Sequence, residues 1–307
     1  MLSQEDITHL ETFESRLATI RDRIVGVSEG WSTGYYLWGK GGVGKSYVVT
    51  GTLRSIGANA RPTNSRLTAK GLYELLERDP DQVHVIEDCE TLLDDPKAAG
   101  VLRSALGATN PARKTRRVER LVTWTIGGSR RTCVFVGGII LVANRPLREE
   151  DAVQRAIGSR IAHDLFAPTN DELRAKMREV AERGYRLQDE DAWLTPADCR
   201  EVVDFVVTKC DEIGRPYDLR YLENCFRDRL QFEVGHSGQD WTVLVESRIK
   251  ESIITVPPRK TRSDANRDKK SIACGIASMD LGTDGKIAEW HRQTGLSQAA
   301  FYRALER

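Results

Sequence analysis

Residues Gly39-Lys40-Gly41-Gly42-Val43-Gly44-Lys45-Ser46 constrain this chain more than any other stretch. They fit the spacing G-x-x-x-x-G-K-[ST]. The apolar run Tyr35-Tyr36-Leu37-Trp38 precedes them and reads as a short buried strand, and residues 45–55 read as a helix. Strand, glycine loop and helix, in that order, are what phosphate binding requires. The glycines let successive N–H groups close around a phosphate, and the helix N-terminus adds a partial positive charge. Lys45 then reaches the β- and γ-phosphates, and the Ser46 hydroxyl is placed to ligate magnesium. Gly39, Lys40, Gly41, Gly42, Val43, Gly44, Lys45, Ser46 and Tyr47 are the expected nucleotide-binding set.

The chain has 307 residues, enough for one large domain or two modest ones. A formal net charge of +1 carries no argument for nucleic acid, so any such affinity must come from local patches. The six cysteines are scattered without a C-x-x-C pair, which points away from a zinc site or a disulfide framework. They read as reduced thiols of a cytoplasmic protein. The first six residues lack the basic and apolar regions of a signal peptide, and no apolar run reaches membrane-spanning length.

Ile7, Leu10, Phe13, Leu17, Ile20 and Ile24 recur at helical spacing, predicting an amphipathic helix over 6–25. From residue 35 to about 166, strand-length apolar runs alternate with helical stretches, the pattern of a parallel sheet covered by helices. Strands are expected near 35–38, 58–61, 83–87, 137–143 and 161–166, with helices near 45–55, 68–78 and 95–106. A β-hairpin is expected within an insertion near 111–136, its strands at 121–126 and 132–136. After 166 the pattern turns helical, with helices starting at the Thr169/Glu172 capping box and at Thr195-Pro196, and others marked by Leu219 to Leu230 and by Trp241 to Ile253. The expected organisation is an N-terminal helix over 1–30, a nucleotide-binding core over 31–168, a helical lid over 169–256, a basic flexible linker over 257–270 and a tail over 271–307.

Val83-His84-Val85-Ile86 ends in Glu87-Asp88, which places carboxylates at the carboxyl edge of a strand beside the phosphate loop. There they complete a magnesium shell and orient the attacking water. Which of the two is the base stays open, and Glu90 is a third candidate. Gly138-Ile139-Ile140-Leu141-Val142-Ala143 ends likewise in Asn144.

At this point the chain resembles the AAA+ ATPases. Their fourth core strand ends in a polar "sensor 1" residue that helps position the water, and Asn144 matches it. In that family an arginine before the fifth strand is the finger inserted into a neighbouring subunit's site; Arg160 matches, with Arg155 second. The stretch Asp218-Leu219-Arg220 looks like the start of the "sensor 2" helix, with Arg220 reaching the phosphates and Arg227 and Arg229 as rivals on the same helix. The resemblance implies an α/β fold of P-loop NTPase type with sheet order 5-1-4-3-2 and a helical lid. It also implies ATP and Mg²⁺ as cofactors, and self-association into a ring or spiral, with a hexamer expected.

AAA+ proteins with a hairpin before the sensor 1 strand include helicases that grip DNA in a central pore. Here Arg113, Lys114, Arg116, Arg117, Arg120, Arg130 and Arg131 oppose Glu119 alone between 112 and 131. If each made a phosphate contact to single-stranded or duplex DNA, each would add about −0.9 (duplex) or −0.7 (single strand) to the slope of log K against log salt, and Arg113, Lys114, Arg116, Arg117, Arg130 and Arg131 are the DNA-binding candidates. Trp124 is expected in the core. Residues 286–305 look like a helix-turn-helix, with Gln298, Tyr302 and Arg303 as exposed DNA-reading candidates and His291 departing from the usual small residue. The reading is a Mg²⁺-dependent AAA+ ATPase acting on DNA in the replication or maintenance of a mobile element, as a helicase or remodeller. The alternatives are a protein-remodelling helicase loader and a DNA-binding regulator switched by ATP.

Overall fold

The computed structural model describes residues 2–63, 67–107, 116–126, 129–187, 191–250 and 262–305. The chain divides into two compact units, Met1–Glu251 and Ser252–Arg307. In the first, helix α1 (Gln4–Ser28) starts at a capping box in which Ser3 and Asp6 satisfy each other's backbone N–H groups. It buries Phe13, Leu17, Ile20 and Ile24, so most of the apolar stripe is core packing, while Ile7 stays exposed.

A five-stranded parallel sheet follows, built from β1 (Gly34–Trp38), β2 (Ala60–Thr63), β3 (Val83–Glu87), β6 (Gly138–Ala143) and β7 (Ala162–Leu165). Its spatial order is β2-β3-β6-β1-β7. Numbered by core strands alone, that is 5-1-4-3-2, the order expected above. Every residue of β6 is buried, as is nearly all of β1 and β3, because helices cover both faces. The two edge strands are partly exposed, and Pro62 is tolerated in β2 because its missing donor lies on an edge. That strand starts two residues later than expected.

Helices α2 (Lys45–Ser55), α3 (Ala69–Arg78), α4 (Glu90–Asp94), α5 (Pro96–Ala105) and α6 (Ala152–Gly158) connect the strands. Thr68, Asp95 and Asp151 accept hydrogen bonds from first-turn N–H groups of α3, α5 and α6. Between α5 and β6 lies the antiparallel hairpin of β4 (Arg120–Ile126) and β5 (Ser129–Phe135), in the register Trp124 to Arg131. It packs on α3 and α5 and buries Val122, Trp124 and Phe135.

The rest of this unit is helical: α7 (Asn170–Ala181), α8 (Pro196–Ile213), α9 (Leu219–Glu233) and α10 (Trp241–Lys250), with a two-residue ribbon, β8 (Tyr185–Arg186) and β9 (Trp193–Leu194). One core cluster joins α1, α2, one face of the sheet and these helices, so sheet and helical lid share a continuous apolar interior.

The second unit contains α11 (Arg262–Ala277), α12 (Thr283–Thr294) and α13 (Gln298–Leu305). The linker expectation over 257–270 is corrected here: α11 is helical from Arg262, and its later part contributes Ala273 and Ile276 to a core with Trp290, Phe301 and Ala304. Residues 257–261 lie outside the described set. Gly295, in the left-handed region at φ 68°, ends α12 and turns the chain into α13. The indole Nε1–H of Trp290 donates to the Ser297 carbonyl across that turn, at 3.2 Å.

Candidate active site

The register of the parallel sheet builds the site. Trp38 pairs with Ala143 and Glu87 with Val142, so three strands end side by side. The residues that follow, Gly39, Asp88 and Asn144, therefore emerge together at the carboxyl edge. There the backbone of Gly39 donates to the Ala143 carbonyl at 3.3 Å. The glycine loop then curls into α2. Gly42 (φ 78°) and Gly44 (φ 99°) sit in the left-handed region, which an L side chain rarely adopts, and Gly44 directly precedes the first turn of α2.

Lys45 is buried at the floor of the loop. Its ammonium donates to the carbonyls of Gly39 (2.8 Å) and Lys40 (2.6 Å) and to Asn144 Oδ1 (3.2 Å). The Asn144 amide donates in turn to Asp88 Oδ1 at 3.4 Å. An ammonium only donates and a carboxylate only accepts, so these two neighbours fix which end of the Asn144 amide faces which. Burial holds the Lys45 pKa below its ordinary value, and the neighbouring Arg220 guanidinium lowers it further. Glu90, Asp88 and Glu87 pull the other way, which places all three acids within electrostatic reach of the amine.

A cavity of about 610 Å³ opens over this edge. The loop, Glu87, Asp88 and Asn144 line one side, and Arg220, Leu222 and Phe226 of α9 close the other. A smaller cavity of about 230 Å³, walled by Phe13, Leu17 and Val48, shares Gly44, Tyr47, Lys176 and Leu219 with it. Tyr47 is 78% exposed between them.

Helix α9 docks directly on the phosphate loop. The Leu219 N–H donates to the Gly42 carbonyl at 2.9 Å, and Asp218, the N-cap of α9, lies so close that a Cβ on Gly42 would stand 1.9 Å from its Oδ2. This contact aims Arg220 into the cavity. Its rivals turn away: Arg227 pairs with Glu223, and Arg229 with Glu201 and Glu233. Lys176 and Arg183 also line the cavity and were missed, because cations among the salt bridges of a lid helix carry no distinguishing spacing.

Other expected residues lie elsewhere. Arg160 is exposed, outside the cavity lining, and donates to the Ala156 carbonyl at the end of α6. Arg155 donates to the Glu149 carbonyl.

The basic run is largely tied down. The Arg116 guanidinium lies 5.1 Å from the Trp31 ring centre, with Glu29 beside it. Arg117 donates to the carbonyls of Ser28 and Asp81. Arg131 lies over Tyr73 and pairs with Glu77 on α3. Arg120 is wholly buried, stacks on Phe135 and donates to the carbonyls of Phe135 and Gly137; burial pushes its pKa down to about 10. Counting Arg120 with the surface cations is therefore corrected. Arg130 faces outward and is exposed, and Arg113 and Lys114 lie outside the described residues. In the second unit Gln298, Tyr302 and Arg303 are all exposed on α13, while Phe301 between them is buried.

Among the described residues no helix is long and apolar enough to cross a membrane, and no cluster of three or more His, Cys, Asp or Glu is arranged to hold a metal ion. No family model matches the chain, and no curated protein matches it. Among solved structures it is similar to the ORC2 protein of Aeropyrum pernix in its ADP form, at 12% identity and a TM-score of 0.43, over 95% of this chain and 83% of that one. The fold class rests on the strand order and the loop themselves: a P-loop-type α/β sheet in the 5-1-4-3-2 order, with a helical lid.

Proposed function

We propose that this chain is an AAA+ ATPase that couples nucleotide turnover to work on DNA, in the replication or maintenance of a mobile element. One observation carries the reading: Lys45, Asn144, Asp88 and Arg220 converge on a single cavity at the carboxyl edge of three parallel strands. Nucleotide fits there by chemistry as well as by size. The loop offers backbone N–H groups at a helix N-terminus, two cations flank it, and the adjoining apolar cavity suits a base.

Lys45 and Arg220 hold the phosphates, and Tyr47 covers the base. Ser46 with Glu87 and Asp88 would hold Mg²⁺, which supplies charge neutralisation between the phosphates. Asn144 orients the water, and Asp88, whose carboxylate accepts from the Asn144 side chain, is the better-placed base. Arg160, outside its own cavity, is left to act on a neighbouring subunit in a ring or spiral.

The DNA contact is better supported in the tail than in the hairpin. Residues 252–307 carry ten Lys and Arg against six Asp and Glu, whereas the rest of the chain is net acidic. Their helices present Gln298, Tyr302 and Arg303 outward, and the hairpin keeps few of its arginines unengaged. This favours a loader, remodeller or ATP-switched DNA-binding protein over a helicase with a DNA-gripping hairpin. The test is ATP hydrolysis by purified protein with and without DNA, alongside strand displacement. Stimulation by DNA without displacement is the expected result. Hydrolysis absent under both conditions sinks the reading, and displacement restores the helicase.

A further inference from the structure

We infer that Glu90 and Arg145 are positioning residues, which hold the water-orienting Asn144 and the strained Asp88 in register for hydrolysis. The inference rests on the ATPase reading above. Among the described residues Asp88 is the one non-glycine with positive φ, at 49°. Such a backbone is strained and persists only where its surroundings over-determine it. The surroundings here are specific.

Glu90, two residues on, turns its carboxylate back and accepts the backbone N–H of Asn144 at 2.5 Å. Arg145, next after Asn144, reaches the other way. Its guanidinium donates to the Glu90 carbonyl at 3.3 Å and to Asp94 Oδ1 at 2.7 Å. The Arg145 carbonyl is itself held by the Tyr36 hydroxyl of β1 at 2.7 Å. The two strand ends therefore grip each other by a reciprocal pair, a carboxylate of one on the backbone of the other and a cation of the other on the backbone of the first.

Helix α4 has only five residues, too short to stand alone, and Asp94 at its end also meets Arg148 at 3.4 Å and the fully buried Gln154. Helix α4, directly after the turn that carries Asp88, is thus tied at both of its ends to Asn144 and the segment that follows it. Asn144 in turn is fixed by Lys45 and Asp88, so a shift of the Asn144 backbone is a shift of the water site. A displacement of about 1 Å in such a site can cost on the order of 10²-fold in rate.

This geometry also separates Glu90 from a role as general base. Its contact with Asn144 needs an acceptor oxygen and no charge. Glu90→Gln keeps that oxygen and is expected to hold kcat within about threefold of wild type. Glu90→Ala removes it and is expected to lower kcat by about 10- to 100-fold, with the KM for ATP and the Kd for ADP within about twofold. Arg145→Ala should reproduce the Glu90→Ala split, and Arg145→Lys should recover only part of the loss, because both bonds run from the terminal Nη2 and a lysine ammonium ends one bond short of that position.

Three results overturn the assignment: equal loss in Glu90→Gln and Glu90→Ala, which makes the charge essential; full kcat in Glu90→Ala; or KM and Kd rising in step with the loss, which is plain damage to the fold. If Glu90→Ala gives no cooperative melt, Arg145→Lys decides alone, and unchanged kcat there overturns it. A wild-type protein that hydrolyses no ATP removes the ATPase reading itself, so the two failures are distinguishable.

Discussion

The carboxyl edge of the sheet and the β4–β5 hairpin are both crowded with charge, and they handle it in opposite ways. At the sheet edge, Lys45, Asn144 and Asp88 bond to one another and to loop carbonyls, and together they line an open cavity that a ligand can enter. On the hairpin and the segment leading into it, Arg117, Arg120 and Arg131 turn inward onto carbonyls, a phenyl ring and a glutamate of the same chain. Arginine is well suited to that second use, because its long apolar stem packs while its planar head bonds to carbonyls or stacks on rings. Residues brought together by strand register are forced to converge; residues brought together by sequence alone are free to find partners at home.

The hardest test of this contrast is Lys45→Ala. It removes the ammonium that holds Gly39, Lys40 and Asn144, and hydrolysis is expected to fall by at least about 10²-fold in a steady-state assay. Near-normal turnover would mean that the convergence at the sheet edge is not catalytic.

The same contrast explains what the sequence made legible. The glycine loop, the acids after β3 and Asn144 after β6 were readable because each sits at a fixed place relative to an apolar strand, and a parallel sheet aligns such places. The sheet order followed from the family resemblance and not from periodicity. The grip of Glu90 and Arg145 was hidden because it depends on side chains doubling back to backbone atoms, which leaves no spacing to detect. The contact of Asp218 with Gly42 was hidden for the same reason, since it joins residues far apart in the chain. The fate of the hairpin arginines was illegible because α3, which captures Arg131, is placed by tertiary packing alone. The helical start of α11 was masked by its polar composition, which resembles that of a linker.

Arg120→Ala sharpens the comparison from the hairpin side. It leaves two buried carbonyls short of a donor and a void beside Phe135, so it should destabilise by about 2–4 kcal/mol in urea unfolding. The salt dependence of DNA binding should stay unchanged, because the guanidinium never reaches solvent. A weaker salt slope with intact stability would return Arg120 to the surface.

A smaller effect is expected from the exposed cations. Arg303→Ala on α13 should reduce the salt slope of duplex binding by about 0.9, the value of one phosphate contact, while Arg131→Ala leaves it unaltered. Fluorescence anisotropy over a salt series measures both. The reverse pattern would move the DNA contact back to the hairpin.

The smallest effect comes from His84, which sits in β3 beneath the same edge and carries none of its chemistry. The ring is fully buried, and its Nε2 lies 2.8 Å from the Asp79 carbonyl. A carbonyl only accepts, so Nε2 carries the proton and the neutral ring leaves Nδ1 without a partner. Burial holds the pKa of this histidine below the 6.5 of an exposed one, although the Asp79 carbonyl opposes the shift. The folded state therefore binds fewer protons than the unfolded chain. The contribution of the neutral ring is complete above pH 6.5 and is lost as pH falls from there toward the folded value. Asp6, held below its ordinary 3.8 by Ser3 and Arg178 against the opposing effect of burial, acts in a separate window: its stabilisation persists until pH falls below 3.8. Urea midpoints taken between those two values should thus decline with acid in the wild type and decline less in His84→Leu, which has no ring nitrogen to protonate. Parallel curves for the two proteins would show that His84 keeps its ordinary affinity for protons despite its burial, and that the base of the sheet admits water.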